Sequence, residues 1–168
     1  MITKKPFVVH KDGGHSFWQP KKMNGYITVK LSPWTLPGIN HTVFFQEMPP
    51  GSAVGAHYHE DGDEIFICLD GEGLIILEDQ EYIFVPESVV YVKRGMLHSI
   101  KSTGKIALKL MVIMTPSGLE ERLKQMGKPR MPGEKAPLPF DSLGESESHY
   151  VKSKLSAYSE LNAIKILK

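Results

Sequence analysis

The chain has 168 residues, enough for one ordinary domain that buries a core without disulfide staples. Its 20 Lys and Arg against 19 Asp and Glu leave a formal net charge of +1. That balance carries no electrostatic footprint for nucleic acid or for an anionic membrane surface, so the expected partner is a small molecule.

The N-terminus, MITKKPFVVHKDGG, is too weakly apolar for a signal peptide, and no stretch approaches the roughly 20 apolar residues of a membrane span. A cytoplasmic location is expected. From Gly25 onward come short runs rich in β-branched and aromatic residues: YITVKL, HTVFFQEM, EIFICL, GLIIL, EYIFV, SVVYV, HSI and IALKLMVIM. Gly, Pro, Asp and Asn punctuate them, the pattern of an all-β sandwich or barrel. Alternation in EIFICL puts Glu64, Phe66 and Cys68 on one face, where Phe66 and Cys68 are candidates to line a pocket. Both faces are apolar beyond Glu64, so the strand is expected to be buried. The lone Cys68 has no intramolecular disulfide partner and reads as a buried thiol. Lys109, the single charge in IALKLMVIM, is expected to turn outward.

After Met114, TPSGLEERLKQMGK reads as a short helix with Thr115 or Ser117 as N-cap and Gly127 as its stop. KPRMPGEKAPLPFDS is dense in proline and reads as an irregular arm, and HYVKSKLSAYSEL as a second helix. A single domain is expected, with residues 1–38 as strands or an arm packing on a core over 39–115, and 116–168 as a helical extension. Trp18 and Trp34 are expected as packing or interface groups.

The chemistry concentrates in HYHEDGDE, positions 57 to 64. On a strand, residues two apart share a face, so His57 and His59 can point to one interior spot. Asp61 and Gly62 permit a reversal, and Glu64 opens the next strand within reach of that spot. A third histidine, His98, follows the turn at Gly95 in KRGMLHSI. Three imidazoles and a carboxylate form a ligand set for a first-row transition metal. Burying them without a cation would cost several kcal/mol in unpaired polar groups. His10, His15, His41 and His149 lie outside this grouping and read as surface or hydrogen-bonded histidines.

The segment GSAVGAHYHEDGDEIFICLDG resembles the first motif of the cupin superfamily, G-x5-H-x-H-x4-E-x6-G, at Gly51, His57, His59, Glu64 and Gly71. ESVVYVKRGMLHSIKS resembles the second, G-x5-P-x-G-x2-H-x3-N, keeping Gly95 and His98 but carrying Glu87, Lys93 and Ser102 where the family usually has Gly, Pro and Asn. Beyond the motifs, PSGLEERLKQMG is similar to the helix after the barrel in small single-domain cupins like the quercetin dioxygenases. The resemblance implies a double-stranded β-helix, a jelly-roll barrel with short C-terminal helices. It further implies one divalent metal (Fe, Mn, Ni, Co, Cu or Zn) held by His57, His59, Glu64 and His98, with Glu64 alternatively a catalytic base. The leading functional expectation is a dioxygenase-type oxidoreductase acting on a small enolic or aromatic hydroxy compound. The rivals are a metal-dependent isomerase, epimerase or lyase of a sugar or hydroxy acid, and a non-catalytic binding protein. Small cupins often dimerise, so a homodimer is expected.

Overall fold

Runs of β-branched and aromatic residues cut by tight turns leave each segment room for one strand before the chain must reverse. In the computed structural model, which describes residues 7–142, they form eleven strands and one helix. In chain order these are β1 (His15–Trp18), β2 (Tyr26–Leu31), β3 (Thr42–Met48), β4 (Ala53–His57), β5 (Asp63–Asp70) and β6 (Gly73–Leu77). There follow β7 (Gln80–Phe84), β8 (Val89–Val92), β9 (His98–Ser102), β10 (Leu108–Thr115), α1 (Leu119–Met126) and β11 (Lys128–Pro129). Two antiparallel sheets result, one in the order β11-β1-β2-β3-β10-β5-β8 and the other β4-β9-β6-β7. Between β3 and β10 the chain repeatedly crosses from one sheet to the other, which makes a double-stranded β-helix. No helix among the described residues is long and apolar enough to cross a membrane.

The core fills the space between the sheets, with Val29, Phe44, Phe66, Ile75, Phe84 and Val112 among its buried side chains. Alternation along β3 turns Thr42, Phe44, Gln46 and Met48 inward. β5 departs from the expectation of burial on both faces. Glu64, Phe66 and Cys68 are inside, but Leu69 is 47% exposed and Ile65 and Ile67 only half-buried. One face of this sheet meets the core and the other meets solvent, as antiparallel sheets commonly do. Lys109 turns outward as expected, toward Asp70 at 3.5 Å.

Turn residues explain two features of the motifs. Gly71 has φ 79°, and a Cβ there would lie 2.5 Å from the Ala107 carbonyl oxygen, so the β5–β6 turn requires glycine. Glu87 has φ 70° at the position where the second motif usually has glycine, so this chain makes the same turn with a residue that carries a steric cost there. At Ser102, where the motif usually has Asn, the backbone carries the local pairing. Its N–H donates to Ser52 O at 2.9 Å and its carbonyl accepts from Gly51 N at 3.0 Å.

The helix starts later than its cap signals suggest. Thr115 stays in β10, paired with Asp63, and the N-cap is Gly118 with no side-chain cap. Glu120 takes over that role: its buried carboxylate accepts from Gly118 N at 2.8 Å and from Thr42 Oγ1, which ties α1 to β3. The helix does stop at Gly127, but in extended backbone rather than a left-handed turn. A Cβ at that position would meet Trp18 O at 2.7 Å, so close packing on β1 is what calls for glycine. The proline-rich arm returns along β1, with Lys21 N donating to Phe140 O at 2.8 Å. Trp18 is buried, and Trp34 packs edge-on against His15 and Phe17, so both serve packing within the chain. The expected helix HYVKSKLSAYSEL, and His149 with it, lie outside the described residues.

Candidate metal centre

The sheets bring His57, His59, Glu64 and His98 to one place. His57 ends β4 and faces His98, the first residue of β9, across an antiparallel pair. Glu64 comes from β5 in the opposite sheet. β4 stops at His57, so His59 sits in the loop that crosses between sheets rather than on the strand. That loop is tied to the second motif by Gly95 N, which donates to His59 O at 2.7 Å. One nitrogen or oxygen from each of the four residues lies within 4.8 Å of every other.

The second nitrogens of two rings are already committed. His57 Nδ1 donates to Gly55 O at 2.8 Å and His98 Nδ1 to Met96 O at 3.0 Å. A carbonyl can only accept, so both rings carry their proton on Nδ1 and offer an Nε2 lone pair to the interior. At that interior point three buried atoms, His59 Nε2, His98 Nε2 and Glu64 Oε2, lack a hydrogen bond. Both nitrogens lie 3.2 Å from Glu64 Oε2. A cation is the chemistry that satisfies an acceptor-only cluster of this kind, and the donor set fits one.

Electrostatics keep the cluster in ligand-ready form. Burial, reinforced by the neighbouring His98 and His59 rings, pushes His57 down to about 3, so its imidazole is neutral near pH 7. For Glu64, burial raises the carboxyl, but the close approach of His59 and His98 outweighs it and holds the group at about 2. The carboxylate is therefore ionised.

A clamp missed by sequence reasoning braces the two motif loops. Arg94 donates through its backbone N and Nε to Asp63 Oδ1, at 2.8 and 3.1 Å, and through Nη2 to Oδ2 at 3.0 Å. Those contacts hold the Asp63 carboxyl well below the usual carboxylate range. Since Asp63 adjoins Glu64 and Arg94 adjoins Gly95, the clamp fixes the spacing between the loops that carry the ligands.

The cluster opens into a cavity of about 670 Å³. Ile27, Phe44, Phe66, Ile100, Leu119 and Met126 supply apolar wall, while Gln46, Lys22 and Arg122 supply polar groups. Phe66 thus faces the cavity as expected. Cys68 does not: it is core, its thiol turned toward the Asp70 and Gly71 carbonyls. The polar wall was legible in part. Gln46 holds an inward phase in HTVFFQEM, and Arg122 interrupts the apolar stripe of α1 at i+3 from Leu119. His15 packs on Trp34, His10 is exposed, and His41 is outside the cluster, all as expected.

Residues 44–114 match the cupin domain family. An oxalate-binding protein of Thermotoga maritima is 34% identical over 68 residues, 40% of this chain and 56% of that protein. Quercetin 2,3-dioxygenase of Bacillus subtilis is 28% identical over 105 residues, 60% of this chain and 31% of the enzyme. The chain thus spans about half or less of these curated relatives. Among solved structures, a predicted oxalate decarboxylase of Thermotoga maritima superposes with a TM-score of 0.56 at 24% identity, over 66% of this chain and all of that one. With its two crossing sheets and its matched motifs, the segment 44–114 is a cupin domain.

Proposed function

We propose that the chain is a mononuclear metal-dependent cupin of dioxygenase type, acting on a small enolic or aromatic hydroxy compound. The observation that carries this reading is the convergence of four donor groups, three of their atoms buried without a partner, at the edge of a largely apolar cavity. His57, His59 and His98 would hold one divalent cation of the Fe, Mn, Ni, Co, Cu and Zn series through Nε2, and Glu64 through Oε2. When bound, the cation would supply Lewis acidity toward an enolate or catecholate oxygen and, if redox-active, access to O2.

The protein's own groups do the rest. The Nδ1 donations to Gly55 and Met96 hold two rings in the ligating tautomer. The walls formed by Phe44, Phe66 and Ile100 exclude water from the substrate's reacting end. Glu64, ionised and unpaired at Oε2, serves as a ligand or, away from the cation, as a general base toward a substrate hydroxyl. Anaerobic loading with Fe(II) or Mn(II), followed by O2 uptake with a flavonol, catechol and diketone panel, tests the reading. Metal-dependent uptake that Glu64→Gln abolishes is expected, and no uptake across all metals and substrates contradicts it.

The polar wall of Gln46, Lys22 and Arg122 favours a second reading, an isomerase, epimerase or lyase of a hydroxy acid. Turnover under strict exclusion of O2 would select it. A retained ligand without turnover would select a binding protein, the role printed in the name of the Thermotoga relative. We further propose a cytoplasmic homodimer. Sedimentation at micromolar concentration tests the oligomer, and a monomer there rejects it.

A further inference from the structure

Part of the cavity wall has no role in holding a cation. Gln46 is 5% exposed, lines the cavity, and its Nε2 has no hydrogen-bond partner. Leaving such an amide unpaired is unfavourable, so an acceptor from outside the chain is the natural complement. Its ladder neighbours, Ile27 on β2 and Leu110 on β10, offer no side-chain acceptor. The amide also stands away from the metal donors. Through Leu110 it is level with Cys68, four residues along β5 from Glu64, at roughly 3.3 Å per residue.

Charge points the same way. Three cations line the cavity: Lys21, Lys22 and Arg122. Lys21 is neutralised by Asp141 at 2.7 Å. Arg122 projects from α1 beside Leu119, Leu123 and Met126, and neither it nor Lys22 has an ion pair or side-chain hydrogen bond among the described residues. With the charge of Glu64 directed at a cation, two exposed positive groups remain at the rim of the cavity, where they attract an anion that enters. The fork of one guanidinium matches one carboxylate.

We propose that the cavity takes an organic acid: a metal-binding oxygen pair at one end, an apolar section along Ile27, Phe44 and Ile100, a carboxylate held by Arg122, and a further oxygen that accepts from Gln46 Nε2. This deepens the metal reading and rests on it for one end of the ligand only. A two-carbon acid held at the metal donors would leave Gln46 unused. Gln46 and Arg122 are thereby specificity-determining residues rather than groups that touch the reacting atoms.

Catechols bearing a carboxylate on alkyl chains of increasing length, each beside its methyl ester, are the probes. Binding to the full chain is measured by calorimetry with and without Co(II). The best-fitting acid is expected to bind about 10-fold tighter than its ester, one charge-assisted pair's worth. Arg122→Gln should remove that preference and leave ester affinity unchanged. Gln46→Leu should weaken acid and ester alike by several-fold, with Tm equal or higher because a buried unpaired amide is gone. A merely structural Gln46 would lower Tm and leave affinity alone. Equal binding of acid and ester at every length, equal loss of both in Arg122→Gln, or no binding of any probe overturns the inference. If the acid preference persists but Co(II) tightens nothing, the metal reading fails and the anion site stands. If Co(II) tightens binding without an acid preference, the reverse holds.

Discussion

Two glutamates, Glu64 and Glu120, are each 3% exposed, and they do opposite things with their charge. Glu120 is surrounded by donors: Gly118 N and Thr42 Oγ1 both give it a hydrogen bond, and the result is a helix end pinned to a strand. Glu64 is surrounded by acceptors. His57 and His98 have spent their protons on backbone carbonyls, and Oε2 has no hydrogen bond although two nitrogens lie 3.2 Å away. Burial alone therefore does not mark a functional carboxylate. What separates the two is whether the surrounding chain completes the group or leaves it for something else to complete.

Substitution should pull the two apart. Glu64→Gln removes the one anionic donor, and metal affinity should fall by at least about 100-fold, beyond what loss of an outer partner costs. Calorimetric titration with Zn(II) or Co(II) measures it, with the fold checked by circular dichroism. Glu120→Ala should instead destabilise by about 2–3 kcal/mol, since Thr42 and Gly118 lose their shared acceptor in a buried setting, while metal affinity per folded molecule stays unchanged. Denaturant unfolding of the metal-free chain reads the first effect. A fall in metal affinity in Glu120→Ala would blur the comparison.

Acid should act on the metal-free centre. The His57 pKa is depressed in the fold to about 3, so the unfolded chain binds this proton first as pH falls. Stability of the metal-free protein should decline from about pH 6.5 toward pH 3, by no more than about 1.4 kcal/mol per pH unit from this group. The slope should flatten in His57→Gln. Glu64, depressed from 4.5 to about 2, adds loss as pH falls between those two values. The smallest effect is expected at the clamp. Arg94→Ala frees the loop that carries His98 from the one that carries Glu64 and should weaken metal binding about 10-fold, with little change in Tm.

The fold was legible where chemistry is local. β-Branched runs placed β2, β3, β5, β6, β7, β8, β9 and β10, and the H-x-H motif marked His57 and His59, although His59 reaches the point shared with Glu64 and His98 from a loop and not by strand alternation. Ala53–His57 escaped the strand reading because AVGAH has small residues and a glycine. It is a strand because β9 supplies the ladder. The cap of α1 escaped because its acceptor, Glu120, lies inside the helix and depends on Thr42, 78 residues away. The clamp between Asp63 and Arg94 spans 31 residues, and no local pattern joins them. Gln46 and Arg122 showed only as polar interruptions in apolar stripes. Their shared cavity exists only once α1 has folded against the barrel.

The central claim is that four side chains converge on one cation, and a structure of the metal-soaked protein with anomalous scattering tests it most directly. The account predicts one peak bonded to Nε2 of His57, His59 and His98 and to a Glu64 oxygen, each at about 2.0–2.2 Å. A peak elsewhere, a bond through His57 or His98 Nδ1, or no peak at saturating metal would contradict it.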